Sequence, residues 1–198
     1  MIRLMQLEEA QADVLRIYRG GFSGPLVSAL IWFVAAATYQ WVTPGAAMTV
    51  LFLGGMLIVP LAALVLKIMG GPAFLPKGHP STPLAIQSAA TVPLGLLVAF
   101  VLGTLEPTLF FPAALIVVGA HYLTFIALYG TWLFGALAGA LVAVGAIALF
   151  ALPSLRAPSG WIGAAILLAS AIPLYLNYRT SLAKEPRPAD ASTAPATP

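Results

Sequence analysis

The chain has 198 residues, of which 61% are hydrophobic and 8% are charged, and its formal net charge at pH 7 is +3. Soluble domains carry about 25% charged residues, so a water-soluble fold of this composition would have to expose large apolar patches. Cysteine is absent, which excludes disulfides, thiolate metal sites and cysteine nucleophiles.

Four long stretches contain no Asp, Glu, Lys or Arg. They lie between Arg19 and Lys67, between Lys77 and Glu106, between Glu106 and Arg156, and between Arg156 and Arg179. A bilayer-spanning helix needs roughly 20 mostly apolar residues, so the first and third stretches accommodate two helices each and the others one each. The sequence therefore predicts an all-α membrane protein, a six-helix transmembrane bundle.

Residues 1–19 precede these stretches and predict an amphipathic N-terminal helix. Leu7, Ala10, Val14 and Ile17 recur at helical spacing on one face, although Gln11 interrupts that stripe. We expect an interfacial helix whose apolar stripe faces the bilayer. The alternative is a short cytosolic helix that packs on the loops.

The transmembrane domain is predicted over residues 20–179, beginning where the Gly20-Gly21 pair breaks the N-terminal helix. Turn residues at Thr43-Pro44-Gly45 and at Gly130 separate helices inside the long stretches. The expected spanning helices cover about 23–42, 46–69, 83–103, 108–129, 131–152 and 160–178. Residues 180–198, rich in Pro, Ala, Ser and Thr, predict a disordered cytoplasmic tail.

Lys and Arg are distributed unequally between the two sides of the predicted bundle. An even number of crossings places both termini on one side, together with Arg3, Arg16, Arg19, Lys67, Lys77, Arg179, Lys184 and Arg187, whereas Arg156 alone lies on the other. Cytoplasmic loops carry the excess of Lys and Arg. We therefore expect a multi-pass membrane protein with both termini cytoplasmic.

His121 lies near the middle of the fourth spanning helix, where ionisable residues usually face the bundle interior. Gln87 and Thr91 share a face of the preceding helix, with Ser88 at its edge. We predict a buried polar cluster between these two helices, formed by Gln87, Ser88, Thr91, His121 and Thr124. The alternative is ordinary interhelical hydrogen bonding without a functional role.

Small residues form two stripes that allow close helix contacts. One stripe consists of Gly135, Gly139, Ala143 and Ala146, and another begins at Gly24 and Ser28. Membrane helices approach each other closely along such stripes, either within a bundle or between copies. Pro60, Pro93 and Pro173 interrupt spanning helices, and the carbonyls that they free can bend a helix or line a cavity.

Motifs of the common catalytic and cofactor sites are missing. The chain has no phosphate-binding Gly-rich loop, no HExxH and no GxSxG, and every acidic residue lies outside the predicted spans. We therefore predict no enzyme activity, no catalytic residues, no cofactor and no metal site. The expected partners are the lipid bilayer and either another membrane protein or a second copy of the chain, not nucleic acid.

Three segments are similar to a known family. MQLEEAQADVLRIYRGGFSGPLVSALIW, GGMLIVPLAALVLK and FFPAALIVVGAHYLTFIALYG resemble an uncharacterised family of small multi-pass bacterial membrane proteins that is classed as a domain of unknown function. The resemblance extends to about the fifth spanning helix. It implies a bacterial cytoplasmic membrane protein and transfers no catalytic or binding residue.

Two functions of different classes agree with these features. The first is a non-enzymatic structural or regulatory membrane protein that acts through helix–helix contacts, which the sparse polar content favours. The second is a small transporter or permease for a neutral or apolar solute, which the interrupted helices and the predicted His121 cluster favour. A cavity that reaches the middle of the membrane would indicate the transporter, and a solid core with an exposed small-residue stripe would indicate the interaction protein.

Overall fold

The computed structural model of the protein describes residues 7–183, which are helical apart from short turns and contain no strand. The α-helices are α1 (Leu7–Ile17), α2 (Ser23–Trp41), α3 (Pro44–Ile68), α4 (Thr82–Leu105), α5 (Phe110–Tyr129), α6 (Leu133–Ala146) and α7 (Ser159–Ala183). Helices α2 to α7 form six segments that are long and apolar enough to cross a membrane. The predicted all-α fold with six membrane-spanning helices is confirmed.

The six spanning helices form a ring in chain order. Each packs against the next, and α7 closes the ring by packing against α2. The largest buried side chains of the core include Trp32, Phe111 and Leu167, which come from α2, α5 and α7. Helices α3 and α4 contribute least to this core, because only 17% of each is buried, compared with 61% of the first span.

The ends of the helices differ from the predicted bounds by a few residues, most at the last helix. We predicted that α7 ends at residue 178, but it continues to Ala183. The hydroxyls of Thr180 and Ser181 donate to the carbonyl of Asn177 at 2.8 and 2.9 Å, so these polar residues fit the helical backbone. The rest of the predicted tail, and residues 1–6 of the predicted N-terminal helix, lie outside the described residues.

The amphipathic helix α1 packs against one end of the bundle. Ala10 and Val14 are buried there, whereas Leu7 is 69% exposed. Gln11, which interrupts the apolar stripe, donates through Nε2 to the carbonyl of Ala127 at 2.7 Å. The stripe therefore covers protein at these positions, as in the alternative of a helix that packs on the loops, and its placement in a membrane interface stays a prediction.

The side chain of Arg156 caps the C-terminal end of α6. The helix passes into a π-helical turn over Ile147–Ala151, where carbonyl groups lose their regular partners. Arg156 donates to two of them, from Nε to the Ala148 carbonyl at 3.3 Å and from Nη2 to the Leu149 carbonyl at 3.1 Å. The cation also suits the negative end of the helix dipole.

Candidate functional site

A cavity of about 540 Å³ lies between α2, α3, α4 and α5. It extends from Lys77 and Gly78, in the loop between α3 and α4, to Trp32 near the middle of α2 and Leu96 past the middle of α4. Most of its lining is aliphatic or aromatic. Ligand pockets in proteins typically measure about 300–1,000 Å³ and are mainly apolar with a few polar groups, so the cavity has the size and character of a small-molecule site.

Few polar side chains line this cavity, and nearly all of them are uncharged. Three are tyrosines and four others carry a hydroxyl or an imidazole: Tyr18, Tyr122, Tyr129, Ser23, Ser28, Thr82 and His121. Among the described residues, the lining contains one formal charge, that of Lys77, which is exposed in the loop at one end. The site therefore offers hydrogen bonds deep in the bundle and a positive charge only at its edge.

His121 is joined to α4 by a short chain of hydrogen bonds. Its Nδ1 lies 2.9 Å from Ser88 Oγ, and Ser88 Oγ lies 2.5 Å from Thr124 Oγ1. Thr124 Oγ1 in turn donates to the carbonyl of His121 at 2.7 Å. Ser88 is only 1% exposed, so these contacts are shielded from competing water, and they hold the imidazole in one orientation at the edge of the cavity.

A glycine brings α4 and α5 close enough for this contact. A Cβ atom at Gly95 would collide with the side chain of Val117, so the two helices could not approach as closely with a larger residue there. Small residues permit such close approach of membrane helices. Gly95 thus sets the distance between α4 and α5. The polar contact of Ser88 with His121 lies about two helical turns away from Gly95.

The other two members of the predicted cluster do not join it through their side chains. Gln87 is exposed and lines a shallow surface depression beside His79 and Pro80. The Thr91 hydroxyl donates to the Ser88 carbonyl of its own helix at 2.7 Å and is also exposed. Successive helix positions point about 100° apart, and α4 is rotated so that Ser88, not the Gln87–Thr91 face, points inward.

Aromatic rings form the wall behind His121. Phe125 meets the imidazole edge to face, with ring centroids 4.7 Å apart, and Tyr122 lies at 5.4 Å. Phe125 also contacts Tyr129 at 5.5 Å, and Phe134 of α6 contacts Tyr129 at 4.8 Å. Such arrangements fix ring positions beyond what burial alone achieves, so the wall is a rigid surface.

The loop between α3 and α4 covers one end of the cavity and is held against α1 and the turn after it. Arg19 donates from Nη2 to the Met69 carbonyl at 2.9 Å, and the Leu75 backbone lies beside the Tyr18 hydroxyl. His79 is buried, with its Nε2 3.8 Å from the Asp13 carboxylate. The loop therefore lines one end of the cavity and is fixed there partly by contacts with α1 and the turn that follows α1.

Sequence reasoning missed most of the cavity lining. Ser28 was assigned to a helix-packing stripe with Gly24, but both residues line the cavity. The available signal was a hydroxyl within a charge-free tract, and the same signal marks Tyr122 beside His121. No local pattern indicated that residues 73–78 fold back over the bundle end, because that depends on contacts with distant parts of the chain.

Metal-ligating side chains do not cluster in the part of the chain that the structure covers. No group of three or more His, Cys, Asp or Glu residues is close enough together to hold a metal ion between residues 7 and 183. The chemistry that the site offers there is hydrogen bonding and apolar contact.

A comparison with protein families matches residues 7–177 to DUF7010, a family of unknown function. The match covers most of the chain, and the chain belongs to this family. It also includes most of α7, beyond the fifth spanning helix at which the resemblance in the sequence was expected to end. No curated protein and no solved structure matches the chain.

Proposed function

We propose that this member of the DUF7010 family binds a neutral or apolar solute within the membrane and carries it through the bundle, without catalysing a reaction. The observation that carries the proposal is the cavity of about 540 Å³ beside His121. Intramembrane solute sites in transporters likewise lie near the bilayer midplane. The even number of spans and the excess of Lys and Arg on the side of the termini support an inner-membrane orientation with both termini cytoplasmic.

The lining of the cavity favours an uncharged solute over an ion. No Asp or Glu lies within the six spans, and the one cation of the lining, Lys77, belongs to the loop. Taking an isolated ion out of water costs several kcal/mol even after relaxation, and the described lining has no buried countercharge to offset that cost. An apolar solute that leaves water gains instead, by about 25 cal/mol per Å² of apolar surface that is removed from water.

Movement of a solute requires an opening, and two walls are suited to provide one. Helices α3 and α4 have the smallest buried fraction of the six spans, and local opening favours elements with few buried contacts. Pro60 and Pro93 lie inside these same two helices and remove backbone hydrogen bonds from them. The proposed exit is therefore lateral, between α3 and α4, with the loop as the closed end.

The experiment is to fill the cavity and measure binding of a neutral probe. Gly24 lines the cavity, and an added Cβ there meets no atom within 4 Å, so Gly24→Leu adds bulk beside the cavity and its Cβ does not clash. A protein that retains only Trp32, a buried residue of the lining, is placed in lipid vesicles. We expect 11-bromo-1-undecanol to quench Trp32 saturably, and Gly24→Leu to weaken binding about tenfold, which corresponds to ~1.4 kcal/mol.

Gly139→Leu is the matched control. Gly139 also lies in a spanning helix and has open space around an added Cβ, but it is exposed and does not line the cavity. We expect its quenching curve to equal that of the parent. Saturable quenching that survives Gly24→Leu unchanged would refute the assignment of this cavity as the binding site.

The second candidate function is lateral association, as an interaction protein. One observation favours it: Ala136, Gly139 and Ala143 are exposed on the outer face of α6, where a neighbouring helix could approach closely. The same two variants separate the candidates. Association predicts that Gly139→Leu lowers chemical crosslinking between copies in vesicles, whereas Gly24→Leu leaves crosslinking unchanged.

A further inference from the structure

We propose that the solute is a neutral hydroxyl compound, an alcohol-type amphiphile whose O–H donates to His121 Nε2. This inference rests on the proposed function and names the chemical class that the site selects. It follows from the direction of each hydrogen bond around His121 and from the groups that are left without a partner there.

Counting protons fixes the tautomer of His121. The Thr124 hydroxyl has one proton, and it donates that proton to the His121 carbonyl, which can only accept. Ser88 must then supply the proton in its contact with Thr124 Oγ1. Because the Ser88 proton points to Thr124, Ser88 Oγ can only accept from His121 Nδ1, which lies 2.9 Å away. The imidazole is therefore protonated at Nδ1, and Nε2 carries the free lone pair.

The lone pair of Nε2 is available for a ligand. Within residues 7–183, no hydrogen-bond partner lies on Nε2, and the atom is not sealed inside the protein. No carboxylate lies within the spans to neutralise an imidazolium, so the ring is neutral in this apolar setting. The side chain thus presents a single acceptor at the edge of the cavity.

A second acceptor lies on α4 at the same level. Pro93 has no N–H, so the carbonyl of Ala89, four residues earlier, lacks its regular helical donor. Ala89 lines the cavity and follows Ser88 directly in the chain. His121 Nε2 and the Ala89 carbonyl therefore offer two hydrogen-bond acceptors beside the cavity at this level.

Acceptors select a solute that donates. Ethers, ketones and carboxylates present only lone pairs to these groups, and a site that hydrogen-bonds a hydroxyl discriminates against analogues lacking it because its own polar group stays unpaired. An ammonium group donates as well, but no carboxylate within the spans compensates its charge. A hydroxyl at the end of an apolar chain donates to these acceptors and can accept from hydroxyls of the lining such as those of Tyr122 and Ser28, while the apolar chain contacts the aliphatic and aromatic side chains.

The test compares an alcohol with the ether in which a methyl group replaces the hydroxyl hydrogen, so that only the alcohol can donate a hydrogen bond. In the protein that retains Trp32 alone, quenching by 11-bromo-1-undecanol is compared with quenching by its O-methyl ether. We expect the alcohol to bind about threefold to tenfold more tightly, the range of one net hydrogen bond. Equal affinities for alcohol and ether would overturn this inference and leave the proposed function standing. Failure of both probes to quench saturably would overturn the proposed function as well.

A spectroscopic measurement tests the tautomer independently of binding. In protein labelled with ¹⁵N-histidine and placed in lipid, we expect the His121 resonances of a ring protonated at Nδ1, assigned by their loss in His121→Gln. A ring protonated at Nε2 would refute the inference. Thr124→Val removes the hydroxyl that orders the chain and should both mix the tautomers and abolish the preference for the alcohol. Thr124→Ser retains a hydroxyl and should restore both properties.

Discussion

Gly21 lies where the chain turns from α1 into the first spanning helix, against the wall of the cavity. Its φ is +73°, and a Cβ atom there would lie 2.7 Å from the ring of Tyr129. Gly20 has a similar φ of +76°, and its Cβ would lie 2.6 Å from the Leu174 carbonyl oxygen. Only glycine fits both the left-handed backbone and the close contacts, which is the physical reason for the Gly20-Gly21 pair.

Gly21→Ala is expected to destabilise the protein by about 1–3 kcal/mol, because the new methyl group meets Tyr129 in a backbone conformation that L-residues rarely adopt. Thermal unfolding of the purified protein in detergent measures the effect. Gly24→Ala is the control, since Gly24 is helical and has open space around an added Cβ, and alanine is the better helix former. Equal stability of Gly21→Ala and the parent would contradict the structural role of the turn.

The structure joins part of the predicted cluster by hydrogen bonds and leaves its other members outside. His121 and Thr124 were assigned to the cluster because a histidine in an apolar helix needs partners. Gln87 and Thr91 were assigned because they share a helix face, but which face turns inward depends on packing of α4 against α5, including the close approach at Gly95. The sequence of α4 alone therefore does not predict how the helix is rotated about its axis.

At the scale of elements, the loop between α3 and α4 depends on α1 for its position. His79 accepts at Nδ1 from the Ser81 N–H at 3.2 Å, so the neutral ring carries its proton on Nε2, the atom that faces Asp13 at 3.8 Å. Asp13 is 39% exposed, whereas the His79 side chain is 3% exposed. A partly exposed contact of this kind contributes modestly, but it ties the cover of the cavity to the N-terminal helix.

Asp13→Asn should loosen this loop, because the amide keeps the shape of the carboxylate but loses its charge. The expected cost is about 0.5–1 kcal/mol, which corresponds to roughly twofold to fivefold faster hydrogen exchange of the loop amides. Exchange measured by mass spectrometry in lipid reports it directly. Glu8→Gln removes the same charge from an exposed position of the same helix. If both variants accelerate exchange equally, the contact with His79 has no specific role.

The positions of the spanning helices could be predicted, because the hydrocarbon of the membrane requires apolar helical segments. Charge-free tracts and turn residues located all six spans, because an unpaired backbone or a charge is costly in hydrocarbon. The path of the loop was not predictable, because it rests on contacts such as Arg19 with Met69, which are distant in sequence. The extension of α7 to Ala183 was missed because Thr180 and Ser181 read as tail residues, although their hydroxyls bond to the helix backbone.

For the whole molecule, the ring of helices separates a rigid half from a less buried half. Helices α2, α5 and α6 supply the large aromatic side chains Trp32, Phe111 and Phe134 of the core, whereas α3 and α4 form walls that are only 17% buried. The cavity lies between these halves and carries polar groups mainly on the α2 and α5 side. A molecule built in this way can hold a solute against a fixed surface while the opposite wall moves.

The measurement that decides whether this cavity holds a neutral solute in the membrane uses the natural absence of cysteine. Gly24→Cys introduces one thiol into the lining, and Gly139→Cys places one on the outer surface. In vesicles, we predict that 1-undecanol slows the reaction of Cys at position 24 with N-ethylmaleimide, in a saturable manner, and leaves the reaction at position 139 unchanged. Equal labelling at position 24 with and without the alcohol would contradict the account.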